Sequence, residues 1–303
     1  MKKLLFAPTM ALASIGLVFV PLLAAQDSGQ VPRTQQLTEN DAYQSACAHK
    51  DAAAQQALVL EGFLIAYPQS TATKVVLERL IDCYNTLIDP DRVISAASRL
   101  LLVDPTNQKA HVMIAWYKSQ QCNPSVDAPG QSTDPEACDD AARTAENGLT
   151  IPQPAGMSDD EWKNIAASAY PVYHSAIALN DLIVKKDYPG AIGELTAALV
   201  LYPNEAKSFG LIDTFRLAEA YTRAGDTQDA ARAVWFYARV WNYAPPHYKA
   251  LIAPTLDYWY ARCHGSSDGL SDIKALAKNS LFPPDGFRIT AVPVADSTDA
   301  NKK

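Results

Sequence analysis

From Thr38 to about Lys278 the apolar residues recur three and four positions apart, the spacing of one helix face, and runs of strand-like alternation are scarce. The pattern is broken at regular places. Pro68, Pro105, Pro152, Pro203 and Pro245 each close an apolar stretch, at roughly forty- to fifty-residue spacing, within the range of repeated helical units. Each unit divides once more. The first spans 39–67 with a break near His49-Lys50-Asp51. The second spans 71–103 and turns through Ile88-Asp89-Pro90-Asp91, where Asp89 suits a helix cap and Pro90 a first turn. The third has helices over 107–121 and 135–149, ended by Gly148 and Pro152-Gln153-Pro154 and separated by an insertion with Pro124, Pro129, Gly130 and Pro135. The fourth opens on Ser158-Asp159-Asp160-Glu161, a capping box, and carries Pro171, which should split or kink its first helix. Its second helix follows Lys185-Lys186-Asp187-Tyr188. The fifth turns at Ala224-Gly225-Asp226, with Asp226 as a cap. The sixth covers 246–264 and ends in a helix near Lys278. A helix pair of this length cannot bury its apolar face alone and must stack on neighbours. The expected fold is all-α, an α-α superhelix of about six helix pairs over 39–285. A tail over 286–303 is expected to lie along the last helix at first and to be largely disordered beyond.

The N-terminus is of another kind. Lys2 and Lys3 precede an apolar run with no charge before Asp27, ending Leu22-Leu23-Ala24-Ala25. This reads as an export signal over 1–25, cleaved near Ala25, followed by a flexible leader over 26–38. The run is also long enough to cross a bilayer, so an uncleaved inner-membrane anchor is the alternative. The first cysteine is Cys47, so no lipid anchor is expected. The expected location is the periplasm.

Removing the signal takes away two lysines and no acid, so the exported chain is more acidic than the −7 of the full sequence. Such a chain suits neither nucleic acid nor anionic lipid. Cys47, Cys83, Cys122, Cys138 and Cys263 would meet an oxidising compartment. A disulfide stapling Cys122 to Cys138 across the proline-rich insertion is the most economical pairing. Cys47 and Cys83 could face one another, leaving Cys263 over. Buried thiols are the alternative for some of them.

Tyr188, Ala191, Leu195, Ala198 and Pro203 resemble the second helix of a tetratricopeptide repeat. Leu217, Ala218, Tyr221, Gly225, Asp226 and Ala230 resemble the first helix and turn of the next. Leu80, Tyr84, Ala97 and Pro105 fit more loosely. The resemblance implies a concave wall built from the first helix of each pair. It selects Glu78, Asp82 and Asn85 in the second unit, His111 in the third, Tyr173 and Asn180 in the fourth, and Phe215, Glu219 and Arg223 in the fifth. Glu78 and Asp82 would repel a terminal carboxylate, so the lysine- and asparagine-based carboxylate clamp of one subgroup is not expected. Tyr173, Asn180, Phe215, Glu219 and Arg223 remain as a mixed groove.

No motif for chemistry competes with that reading. His49, His111, His174, His247 and His264 show no metal-ligand spacing, and there is no nucleophile elbow, phosphate loop or calcium loop. No cofactor or metal is expected. Trp235, Phe236, Tyr237, Trp241 and Tyr243 cluster with Tyr248, Tyr258, Trp259 and Tyr260, as a core of the last units or as a wall for a peptide or glycan. The expectation is a non-enzymatic scaffold of the bacterial cell envelope that docks an extended segment or helix of a protein partner. One alternative is a part of an outer-membrane assembly or secretion machine. Another is an all-helical glycan-active enzyme, for which Asp257 or Glu219 would be the carboxylate.

Overall fold

The structure, a computed structural model, describes residues 38–48, 52–122, 133–225 and 227–292. Among them there are twelve α-helices and no strand: α1 Glu39–Ala48, α2 Ala53–Ala66, α3 Thr73–Thr86, α4 Pro90–Val103, α5 Gln108–Cys122, α6 Pro135–Thr150, α7 Asp159–Asn180, α8 Tyr188–Leu201, α9 Gly210–Ala224, α10 Thr227–Tyr243, α11 Pro246–His264 and α12 Leu270–Asn279. The export signal, the leader up to residue 37, most of the insertion in the third unit, and the Asp226 cap lie outside the described residues. No helix among the described residues is long and apolar enough to cross a membrane.

Short polar side chains start several of the helices. Asp89 accepts from the Arg92 amide ahead of α4, Asp134 from the Glu136 and Ala137 amides ahead of α6, and Asp187 from the Gly190 amide ahead of α8. Each cap is followed by a proline in the first turn, where the missing N–H costs nothing. Ser158 and Glu161 form the reciprocal capping box of α7. Gly225 and Gly265 close α9 and α11 at φ 94° and 91°.

Consecutive helices pack on each other through most of the chain, and α5 packs on both α6 and α7. One apolar core joins α1 to α5 around Leu60, Leu80, Ile81 and Leu100. A second joins α7 to α12 around Leu195, Leu217, Trp235 and Phe236. Between them lies a core of small side chains, Ala115, Ala141, Ala142, Ala145, Ala169 and Ala176, with Tyr173 and Ile177.

Several sequence expectations need correction. Pro171 does not split its helix: α7 runs unbroken from Asp159 to Asn180, then widens into a π-helical turn, Asp181–Lys185. The carbonyl that this proline leaves without its helical partner is that of Ala167, an exposed residue, where water takes the place of the missing bond. Gly148 lies inside its helix, which runs to Thr150 against the expected 149. A Cβ at this position would collide with the Tyr173 ring, so glycine is there to admit the ring. Cys122 and Cys138 are bonded, whereas Cys47, Cys83 and Cys263 are free. Cys83 instead donates to Gln56 Oε1 at 3.3 Å. The described tail, far from lying along α12, crosses to α10 and the end of α11: Phe287 sits edge-on to Trp235, and the Val292 amide donates to the His264 carbonyl.

α12 is itself sewn to α10. The Arg239 guanidinium, 7% exposed, binds the Glu205 carboxylate and donates to the carbonyls of Ala277 and Ser280 at 2.8 Å each. Asn242 donates to the Lys274 carbonyl, and the Tyr243 hydroxyl to that of Lys278. The bonds to Ala277 and Lys278 satisfy carbonyls that the end of α12 would leave open.

Candidate binding surface

Three surfaces on α3, α5 and α9 answer to the positions selected from the sequence. The first is a hollow of about 480 Å³ lined by Gln56, Val75, Glu78, Arg79, Asp82 and Lys109. Lys109 Nζ lies 2.5 Å from Asp82 Oδ1 and donates to the Glu78 carbonyl oxygen at 3.2 Å. Asn107 Nδ2 donates to Glu78 Oε1 at 2.8 Å. The acidic pair expected to repel a carboxylate is thus accompanied by two cations, Arg79 and Lys109. Lys109 was legible only as a first-turn residue of α5; its reach to α3 depends on how closely those helices approach. The Asp82 side chain remains 65% exposed, so the hollow presents both charge signs to solvent.

The second is at the join of α3 and α5. The Tyr117 hydroxyl donates to Asn85 Oδ1 at 2.6 Å, which ties the helices but leaves Asn85 on the surface. His111 does not reach it. Its ring is buried, with Nδ1 3.2 Å from the Thr144 carbonyl and Nε2 3.0 Å from that of Pro105.

The third is α9, where Phe209, just ahead of the helix, and Ile212, Phe215, Glu219 and Arg223 within it follow one another three and four positions apart on one helix face. Phe209 and Ile212 are 56% and 48% exposed. Trp116 of α5 meets Phe209 edge-on at 4.4 Å between ring centres. Phe215 stands edge-on to Tyr237 at 5.7 Å. Arg223 lies 3.6 Å from Glu219. Burial pushes the Glu219 carboxyl above its ordinary range, against the pull of Arg223 and Arg216. Burial, and then the Glu219 charge, push the Tyr237 hydroxyl up to about 12. Arg216 turns inward, joining Ser175 and Asp213 at 3.0 and 3.1 Å, while the Tyr202 hydroxyl donates to the other Asp213 oxygen. Sequence selection missed Trp116, Phe209 and Ile212. The spacing of three upstream of Phe215 was the one signal for Phe209 and Ile212; Trp116, on α5, had none.

Tyr173 and Asn180 are not on this surface. Tyr173 is fully buried and its hydroxyl donates to Gln108 Oε1 at 2.6 Å. Asn180 is 2% exposed, and its Oδ1 has no hydrogen-bond partner among the described residues. Both face inward because α7 is enclosed by α5, α6 and α8, so the groove assigned to them is corrected to interior packing. Of the aromatic set, Trp235, Phe236, Tyr237 and Tyr260 are core, while Tyr243 and Tyr258 are exposed. Asp257 is exposed on α11. Among the described residues no group of three or more His, Cys, Asp or Glu is placed to hold a metal ion.

No family model matches this chain, and no match to it is found among curated proteins.

Proposed function

We propose that this chain is an exported, non-enzymatic scaffold of the bacterial cell envelope, built as a tetratricopeptide-like superhelix of helix pairs from α1/α2 to α9/α10, closed by α11 and α12, which each pack on α10. It docks a segment of a protein partner along the first helices. The observation that carries this reading is the packing of α5 on both its pair mate α6 and the next first helix, α7. That contact sets two successive first helices, α5 and α7, side by side, as stacking of helix pairs requires. The chemistry on the same helices supports it. A hollow of mixed charge on α3 and α5, and a strip of half-exposed aromatic, aliphatic and ionic side chains on α9, combine apolar anchors with polar orientation, as protein interfaces do.

A photo-crosslinking residue placed at Asp82 or Ile212 should capture one discrete partner in the native envelope. The same residue at Asp91 of α4 or Leu276 of α12 should not. Equal capture from all positions would remove the first helices from the interface. N-terminal sequencing of the exported protein should begin just after Ala25; a retained leader would replace the free periplasmic form with an anchored one.

A further inference from the structure

We propose that the apolar cleft over α10 is a second docking site, a groove for an extended segment, closed here by the chain's own residues 281–292. A partner segment with the same anchor spacing opens it by displacing this strap. The strap leaves the end of α12 and reaches the end of α11 across α10. Its backbone is tied at the two ends. The Leu281 carbonyl accepts from Trp235 Nε1 at 3.1 Å, and the Val292 amide donates to the His264 carbonyl at 2.7 Å. Between the ties it is held by side chains. Phe282 meets Phe236 edge-on at 6.1 Å, Phe287 meets Trp235 edge-on at 5.0 Å, and Ile289 packs on the same core.

The arrangement has the features of a bound peptide. The segment has no helix or strand of its own. Its anchors are two aromatic rings five positions apart and an aliphatic side chain two further on, and they enter a floor made by Trp235 and Phe236, each 1% exposed. The remaining side chains, from Pro284 to Gly286 and at Arg288, Thr290 and Val292, are exposed. Attachment is far lighter than that of α12, which Arg239, Asn242 and Tyr243 hold through its carbonyls. A segment with few bonds and exposed backbone opens at lower free energy than the helices beneath it. Once open, it would leave two large aromatic faces in water, which only a replacement of like chemistry covers. The occupant that fits is therefore an extended segment reading Phe-x-x-x-x-Phe-x-aliphatic, with a free carbonyl before the first ring for the Trp235 N–H.

The probe is a fluorescent synthetic peptide of residues 281–292, measured by anisotropy against the full-length chain and its Phe282→Ala/Phe287→Ala variant. In the wild type the tethered strap competes at an effective concentration of order millimolar. The variant should therefore bind the peptide roughly tenfold or more tightly, and a peptide lacking both phenylalanines should bind neither protein. Equal affinity in a variant of unchanged helical content would overturn the proposal. So would loss of helical content in the variant, because the strap would then be an obligatory part of the core. Hydrogen exchange on the unaltered protein reads the same point: the Val292 amide should exchange at least about tenfold faster than the amides of α10. Exchange of both at one rate would mean that the strap never leaves.

Discussion

Burial and charge oppose each other at Glu219. Its carboxyl is pushed up by burial more than Arg223 and Arg216 pull it down. The Arg223 contact is long and half in solvent, the kind that contributes little. At low pH the group is protonated in both states and costs nothing. As pH rises through the ordinary glutamate range the unfolded chain ionises first, and the fold loses stability until the raised native value is passed. Above that value the loss is constant. Glu219→Gln should therefore unfold at a higher temperature than the wild type at pH 7, and the advantage should shrink as pH falls toward the ordinary glutamate range. A gap that is absent at pH 7, or that does not vary with pH, would show that burial does not dominate there. At this scale the sequence was a partial guide. Phe215, Glu219 and Arg223, selected by the resemblance, lie partly or fully exposed along α9. Tyr173 and Asn180 were misread because their placement follows from the enclosure of α7 by three helices, which no local pattern records.

Helix starts were more legible than helix interiors. Asp89, Asp134, Ser158 and Asp187 each act within three residues of themselves, so the amino-acid order alone states the interaction. Pro171, read locally, suggested a break where the helix continues, whereas Gly148 has a meaning fixed by a distant partner, the Tyr173 ring. The end of α3 shows a third case. Ile88 takes φ 55°, left-handed, so that the Asp89 amide can reach the Tyr84 carbonyl at 3.0 Å. This is a helix-closing turn that glycine usually supplies. A β-branched residue there costs about 1–2 kcal/mol of steric strain, and at 82% exposure its side chain regains little by burial. Ile88→Gly relieves the strain while adding some unfolded-state entropy, so we expect a net gain of up to ~1 kcal/mol. Thermal unfolding should show a raised midpoint. An unchanged or lower one would mean that the turn stores no usable strain.

Across the whole molecule, apolar content is uneven in a way that bears on how it comes apart. The core over α1–α5 and the core over α7–α12 are rich in leucine, isoleucine and aromatic residues. The link between them is mostly alanine, which removes little apolar area from water per residue. That alanine content was plain in the sequence, but its position as the seam between two larger cores was not, because it depends on which helices meet. Two features strengthen the seam: the buried Tyr173 hydroxyl bond to Gln108 and the Cys122–Cys138 disulfide joining α5 to α6. With a sequence separation of 16, the disulfide should contribute about 3 kcal/mol by restricting the unfolded chain. Reduction removes that contribution from the seam alone and leaves both large cores intact, so the two parts should lose their coupling before either is itself destabilised. Calorimetry of the oxidised protein should then show one broad transition, and calorimetry in reductant should show two, the first well below the oxidised midpoint. A Cys122→Ser/Cys138→Ser variant should reproduce the two-step profile and ignore reductant. A single transition that merely shifts downward on reduction would instead mean that the alanine seam couples the two cores as firmly as their larger side chains hold each one together.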